Sequence, residues 1–157
     1  MDIMSLAPPF IPELAEPGFL APVPQEVIDQ RTEGVVEGAI ESSKWKDEFV
    51  TVPFWANTQL LWYRKSVAEE AGLDMTKPVT WDQLMEASKK TDKKLGVQVT
   101  RGESMTVWLN ALVESQNESL IRNPGAKADE TDFGIDSPAG RKSAEIVGTI
   151  GREGLYG

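Results

Sequence analysis

The sequence predicts an α/β protein, because strand-like segments alternate along the chain with segments that carry helical periodicity and helix end signals. The clearest example begins at residues 95–100, LGVQVT, an apolar run that is typical of a buried strand. A polar turn follows this run, and Ser104 is the expected N-cap of the next helix. The apolar face of that helix is formed by Met105, Trp108, Leu109 and Leu112.

Three further segments are predicted to be strands. Residues 2–6, DIMSL, form a short apolar run typical of a buried strand, and the prolines of the following APPF force a loop. Residues 48–53, EFVTVP, alternate in the way that a half-buried strand does. Residues 59–63, QLLWY, are another strand candidate, in which Trp62 and Tyr63 are expected to belong to the core.

Capping signals locate two helices in the middle of the chain. Ser66 with Glu69, and Thr80 with Gln83, both match the capping-box pattern. Gly72 is suited to end the first of these helices in the left-handed conformation. The apolar face of the second helix is formed by Trp81, Leu84 and Met85.

The last predicted helix begins with Ser137 as its capping residue and Pro138 in its first turn. Its apolar face comprises Ser143, Ile146, Val147 and Ile150. Residues 123–132, NPGAKADETD, have the composition of a surface loop. The shorter helices predicted near the start of the chain comprise residues 12–15, a segment through Val27 and Ile28, and a segment through Val35, Val36 and Ile40.

Composition excludes several classes of function. The 157 residues include 16 basic and 25 acidic side chains, and the resulting net charge of -9 repels nucleic acid. The chain has no histidine and no cysteine, which excludes imidazole and thiolate catalysis and the zinc sites that those residues form. No cofactor and no metal are predicted. No apolar run approaches the ~20 residues that span a bilayer, and no export signal is visible in the first residues.

Residues 51–65, TVPFWANTQLLWYRK, form the first candidate site. Sugar rings pack on aromatic faces, while their hydroxyl groups need donors and acceptors such as amides. Trp55, Asn57 and Gln59 supply both kinds of contact, so we predict that they bind a ligand. The structural alternative is a strand with core aromatics in which Asn57 and Thr58 form a turn.

Arg101 and Glu103 form a second candidate site, between a predicted strand and the helix that follows it. Open α/β sheets bind ligands at the carboxyl ends of their strands. Glu103 could accept hydrogen bonds from ligand hydroxyl groups, and Arg101 could donate them. The structural alternative is a glutamate that complements the helix dipole beside a solvated arginine.

Four motifs in order resemble the sugar-binding subunits of bacterial ABC importers, the extracellular solute-binding family that includes maltose- and trehalose-binding proteins. The motifs are DIMSLAPPFIPELAEPGFLAPV, FVTVPFWANTQLLWYRKSVAEEAGL, KPVTWDQLMEASKK and FGIDSPAGRKSAEIV. Each motif is loose by itself, but four in the correct order are specific. The resemblance extends through nearly the whole chain.

This resemblance implies part of a two-lobed, periplasmic-binding-protein-like (type II) fold that closes on a sugar. Residues 1–56 would be part of the first lobe and the start of the hinge crossover, and residues 57–157 part of the second lobe. Asn57 and Glu103 match sugar-contacting positions of the family. Met105 stands where maltose binders have a stacking aromatic residue, and Phe10 would replace an aromatic contact of the first lobe.

The implied function is ligand capture without catalysis. The ligand would be a disaccharide such as trehalose or a maltose-like sugar, and the partners would be the membrane permease subunits of an ABC transporter. The protein would act in the cell envelope, outside the membrane, and would be lipid-anchored in its full-length form. Two alternatives stay open: a carbohydrate-active hydrolase fragment that uses Glu103 as acid or base, and an interaction module that associates with itself.

Overall fold

The computed structural model describes residues 2–157, which form two units. The first unit ends at Thr58, and the second comprises Gln59–Gly157. The α-helices of these residues are α1 (Ile11–Ala15), α2 (Gln25–Thr32), α3 (Glu37–Glu41), α4 (Lys65–Ala71), α5 (Trp81–Thr91), α6 (Glu103–Glu114) and α7 (Pro138–Arg152). The strands are β1 (Lys44–Trp45) and β2 (Glu48–Phe49), and 3₁₀ turns lie at Pro8–Phe10 and Ala128–Glu130.

The hairpin of β1 and β2 is the organising element of the first unit. Lys44 pairs with Phe49 and Trp45 with Glu48 in antiparallel register. The two residues between the strands, Lys46 and Asp47, have positive φ angles of 49° and 67°, as a tight two-residue turn requires. The hairpin is also joined to the chain before it, because the Val23 amide donates to the Phe49 carbonyl over 2.8 Å.

A carboxylate at the end of α1 binds the same hairpin. The Glu16 carboxylate accepts hydrogen bonds from the Lys46 ammonium at 2.7 Å and from the Trp45 indole N–H at 3.0 Å. The bond to Lys46, followed by the bond to Trp45, lowers the pKa of Glu16 below its usual value. Ile11 is the buried apolar residue of α1. These contacts join α1 to the hairpin.

The core of the second unit lies between α5, α6 and α7. Its buried residues are Met85, Trp108, Leu112, Ile146, Ile150 and Leu155. Trp81 meets Trp108 edge to face, with ring centroids 5.9 Å apart, an arrangement that aromatic pairs favour. Leu155 brings the end of the chain into this core, and the Leu95 amide donates to its carbonyl over 2.7 Å.

A polar contact locks α7 against the end of α6. The Gln116 side chain donates to the Leu112 and Ala139 carbonyls and to the Ser143 hydroxyl, over 3.0 to 3.1 Å. Ser143 is fully buried and donates in turn to the Ala139 carbonyl. Because each of these polar groups has a partner, their burial carries no desolvation penalty from an unmade hydrogen bond.

Two glycines allow the backbone to approach closely where α7 begins. A Cβ atom at Gly134 would overlap the Ser119 carbonyl oxygen, and one at Gly140 would overlap the Ile135 carbonyl oxygen. Neither neighbour is a flexible side chain, so backbone would have to move to admit any other residue. These contacts fix the path of the loop that leads into α7.

Several helix predictions are confirmed. Thr80 and Gln83 form both hydrogen bonds of a capping box at the start of α5. Ser137 caps α7 by accepting from the Gly140 amide, with Pro138 as its first residue. Gly72 ends α4 with a φ angle of 80°. The predicted apolar faces of α5, α6 and α7 all turn inward, and the loop of residues 123–132 lies between α6 and α7 with only one 3₁₀ turn.

Two predicted caps are wrong. Helix α4 begins at Lys65 with Arg64 as N-cap and no side-chain capping bond, so Ser66 and Glu69 form no capping box. Helix α6 begins at Glu103 after Gly102, and Ser104 therefore lies inside the helix. In both cases the helix starts one residue before the polar side chain that matched the pattern. In the first unit the difference is opposite: α3 begins at Glu37, later than predicted, which leaves Val35 and Val36 outside it.

The predicted strands are largely absent from residues 2–157. Residues 2–6 form no strand and are mostly exposed, and of residues 48–53 only Glu48 and Phe49 are in a strand. Residues 59–63 have no regular structure, and Trp62 and Tyr63 are 87% and 54% exposed rather than buried. Of residues 95–100, only Leu95 forms a bridge, parallel to Tyr156. An apolar run becomes a strand only where another strand pairs with it.

The Thr80 capping box allows a direct stability test. Replacing Thr80 with alanine is expected to reduce the free energy of unfolding by about 1 kcal/mol, because a backbone N–H at the start of α5 loses its partner. Replacing Ser66 with alanine is the matched control, and we expect little change because Ser66 caps no helix. Urea denaturation measures both values. Equal losses in the two variants would contradict the assignment of the caps.

Candidate functional site

The residues that separate β2 from α4 form an exposed segment without regular structure. Within it, Phe54 and Trp55 are 82% and 75% exposed. Their ring centroids lie 5.8 Å apart at an interplanar angle of 40°. Asn57 is also exposed, two residues further along the chain. The segment therefore presents two aromatic rings close to an amide, all accessible to a ligand, and Trp55 and Asn57 are not core residues.

Gln59 is the first residue of the second unit, and its side chain has a specific partner. The Gln59 amide donates to the side-chain oxygen of Gln98 over 3.3 Å. Gln98 precedes Arg101 by three residues, so this contact brings Gln59 to the loop that carries the second candidate site. Gln98 was not among the predicted site residues. The signal that could have identified it is its position as the single amide side chain in the apolar run of residues 95–100.

Arg101 and Glu103 lie on either side of Gly102, at the start of α6. Gly102 has a φ angle of 121°, a backbone conformation that residues other than glycine rarely adopt. Both Arg101 and Glu103 are exposed, and neither forms a salt bridge within residues 2–157. Glu103 occupies the first turn of α6, where a carboxylate is favourable to the helix dipole. A hydrogen-bonding role and a dipole role are both compatible with this position.

Phe10 ends the first 3₁₀ turn, and 54% of its surface is exposed. Of the six predicted ligand-binding residues, Phe10, Trp55 and Asn57 belong to the first unit. Gln59, Arg101 and Glu103 belong to the second. All six are accessible to solvent. Within the second unit, the bond between Gln59 and Gln98 joins two segments that the sequence separates by 39 residues.

The second unit also contains a cavity of about 450 Å³ between α4, α5 and the segment around Leu95. Its lining is mostly apolar and includes Leu61, Trp62 and Trp81. The charged residues of its lining are Arg64, Lys93 and Lys94, all basic. Gln59, Arg101 and Glu103 do not line it. The cavity and the predicted binding residues are therefore separate features of this unit.

Neither a metal cluster nor a membrane-spanning helix is found in the part of the chain that the structure describes. Among residues 2–157 no three acidic side chains lie together as metal ligands would. No helix within the same range combines the length and apolarity needed to cross a bilayer.

Comparison with known families identifies the class of protein. Residues 2–150 match the model of the bacterial extracellular solute-binding protein family. Because the match covers most of the chain, the protein belongs to this family, a family of binding proteins. The resemblance expected from the four sequence motifs is thereby confirmed.

Among individual relatives, the chain is similar to an arabinooligosaccharide-binding protein of Halalkalibacterium halodurans. The two are 30% identical over an alignment of 100 positions, which covers 57% of this chain and 22% of the relative. The matched part thus spans about a fifth of the relative's length.

Proposed function

We propose that the chain is part of the substrate-binding component of a bacterial ABC importer for sugars. The observation that carries this proposal is the family match over residues 2–150. The relative from Halalkalibacterium halodurans, named as an arabinooligosaccharide-binding protein, supports a carbohydrate ligand. The ligand that we propose is a short oligosaccharide, with disaccharides such as trehalose or a maltose-like sugar as the smallest members of the class.

The chemistry of the exposed segment fits this ligand class. An accessible indole face offers the apolar surface on which the C–H groups of a sugar ring pack. Trp55 is 75% exposed, so sugar could cover its ring without displacing other side chains. Asn57 and Gln59 follow at intervals of two residues and carry both donors and acceptors for hydroxyl groups. We assign stacking to Trp55, with Phe10 as a second aromatic contact.

Arg101 and Glu103 complete the proposed set of polar contacts. Both side chains are charged, exposed and close to the start of α6. A carboxylate that accepts from a sugar hydroxyl forms a charge-assisted hydrogen bond, which is stronger than one between neutral groups. Arg101 would donate to the same or a neighbouring hydroxyl.

The mechanism that we propose is capture by two lobes of a type II binding-protein fold. Residues 1–56 would contribute to the first lobe and the crossover, and residues 57–157 to the second. Ligand that binds the closed state more tightly shifts the population toward it, and a membrane permease recognises that state. We place this activity outside the cytoplasmic membrane, with the full-length protein attached by a lipid anchor.

Isothermal calorimetry on the full gene product is the test of this function. Arabinooligosaccharides, trehalose and maltose are titrated separately, and at least one of them is expected to bind saturably with a 1:1 stoichiometry. Incubation with the same sugars and with aryl glycosides should release no product. Saturable binding of none of these sugars, or turnover that Glu103→Gln abolishes, would refute the proposal.

A further inference from the structure

Gln98 lies on the outer side of the segment that begins at Leu95. Leu95 and Val97 both pack against the core of the second unit, while Gly96 and Gln98 are exposed. This alternation is typical of a strand-like segment, in which successive side chains point to opposite faces. The Gln98 side chain is therefore directed away from the core and is not needed for its packing.

A single hydrogen bond joins the amides of Gln59 and Gln98 and leaves their other polar groups free. The Gln59 Nε2 group donates to Gln98 Oε1 over 3.3 Å. Within residues 2–157, neither Gln59 Oε1 nor the Gln98 NH₂ group forms a hydrogen bond with the protein. The pair thus presents one free acceptor beside one free donor. Rotating both amides by half a turn would reverse the bond and still leave one group of each kind.

The bond between the two amides strengthens both of these free groups. An amide that donates through its nitrogen becomes a better acceptor at its oxygen, and an amide that accepts at its oxygen becomes a better donor at its nitrogen. This cooperative effect is of the order of 10–30% per bond. Gln59 is the donor of the pair and Gln98 the acceptor, so Gln59 Oε1 and the Gln98 NH₂ group are the ones that gain.

A sugar ring carries the groups that complement this pair. Each hydroxyl group can both donate and accept a hydrogen bond, and hydroxyls on neighbouring ring carbons lie close together. One hydroxyl can donate to Gln59 Oε1 while its neighbour accepts from the Gln98 NH₂ group. A ligand with one isolated hydroxyl would leave one of the two amide groups unpaired.

The pair is also close along the chain to the second candidate site. Gln98 precedes Arg101 by three residues, which span at most about 10 Å of extended chain. The turn that follows is fixed, because the Met105 amide donates to the Thr100 carbonyl over 3.2 Å. Gln59, Gln98 and Arg101 all belong to the second unit. One oligosaccharide can therefore reach both the amide pair and Arg101.

We propose that Gln98 is a further ligand-binding residue, and that Gln59 and Gln98 together bind two neighbouring hydroxyl groups of one sugar ring. The inference rests on the proposed function, and it adds to that function a residue and the hydroxyl pattern that the residue selects. Gln59 accepts from one hydroxyl, and Gln98 donates to the next.

Calorimetry on the full gene product tests the role of Gln98, with the sugar that binds the unmodified protein. Gln98→Ala is expected to raise the dissociation constant by about fivefold, because one hydrogen bond to the ligand is lost. Gln30→Ala is the matched control and should bind as the unmodified protein does. Gln30 is an exposed glutamine whose amide also bonds to one side chain, that of Glu26, but it lies in α2 of the first unit.

Sugar analogues that each lack one hydroxyl group identify the two contacts. In the unmodified protein, removal of either of two neighbouring hydroxyls should weaken binding by about fivefold. One of these two removals should have no further effect in Gln98→Ala, and the other should have none in Gln59→Ala. A purely structural role of Gln98 would leave the differences between the analogues unchanged. If circular dichroism shows that Gln98→Ala loses helix, Gln98→Met takes its place, because it keeps the length of the side chain without its polar groups.

The outcomes separate this inference from the proposed function. If no sugar binds, both are refuted. If a sugar binds and Gln98→Ala binds it as tightly as Gln30→Ala does, only the inference about Gln98 is overturned. A lower urea midpoint for Gln98→Ala with unchanged sugar binding would overturn it as well, because the amide pair would then serve packing alone. Analogues that keep the same relative affinities in Gln98→Ala would overturn the assignment to neighbouring hydroxyls.

Discussion

Replacing Trp55 with alanine is expected to weaken sugar binding by about tenfold or more, which corresponds to ~1.4 kcal/mol of binding free energy. The physical reason is the loss of the aromatic face on which the sugar ring packs. Trp55 is 75% exposed, so truncating it leaves no cavity in the protein and should preserve stability. Calorimetry of the variant, with the sugar that binds the unmodified protein, measures the change.

Phe19 provides the control for this prediction. It is an aromatic residue with the same exposed fraction of 75%, but it is not one of the predicted ligand contacts. Phe19→Ala should therefore bind sugar as the unmodified protein does. If Trp55→Ala binds as tightly as Phe19→Ala, Trp55 does not contact the ligand, even if the protein is a sugar binder.

Among the substitutions proposed here, Leu112→Ala should lower the free energy of unfolding the most. Leu112 is 1% exposed and belongs to the core between α5, α6 and α7. Removing its branched side chain loses the transfer free energy of the deleted atoms and leaves a cavity. Together these effects should lower the free energy of unfolding by roughly 2–5 kcal/mol. Urea denaturation, followed by tryptophan fluorescence, should show the loss as a lower transition midpoint.

Leu60 is the matched control because it is the same residue type at 67% exposure. Leu60→Ala should change the free energy of unfolding by less than about 0.5 kcal/mol, as exposed substitutions usually do. Comparable losses for Leu60 and Leu112 would be inconsistent with the core described here.

The helices could be predicted because their signals are local. Gln83 lies within one helical turn of Thr80, and Pro138 directly follows Ser137. Successive residues of each apolar face are also only one to three positions apart. The failures at Ser66 and Ser104 have the same origin. A polar side chain near a helix start matches the capping pattern whether or not it is the N-cap. The backbone conformation at Arg64 and at Gly102 decides where each helix begins.

The strands were predicted less well because a strand depends on a partner that may lie anywhere in the sequence. Residues 59–63 and 95–100 have strand-like composition, yet their only bridge joins Leu95 to Tyr156, 61 residues away. Nothing near Leu95 in the sequence identifies that partner. Trp62 was expected in the core for the same reason, since apolar character does not show which segment covers it.

The residue types of the candidate site could be predicted from the sequence, but the contacts between them could not. Aromatic and amide side chains around Trp55 and Asn57 suggested carbohydrate, and their exposure is compatible with that chemistry. The contact of Gln59 with Gln98 could not be predicted, because it joins segments far apart in the chain. The assignment of Phe10 to the ligand rests on resemblance, that of Arg101 on its position before α6, and that of Glu103 on both. All three remain predictions.

The close backbone contacts at Gly134 and Gly140 have a consequence for random mutagenesis. Any amino-acid substitution at either position places a Cβ atom onto a backbone carbonyl oxygen, so selection for soluble expression alone should remove such clones. A library screened for ligand capture would then lose these two positions whichever sugar is used. They can serve as internal markers that separate clones lost through misfolding from clones lost through altered recognition.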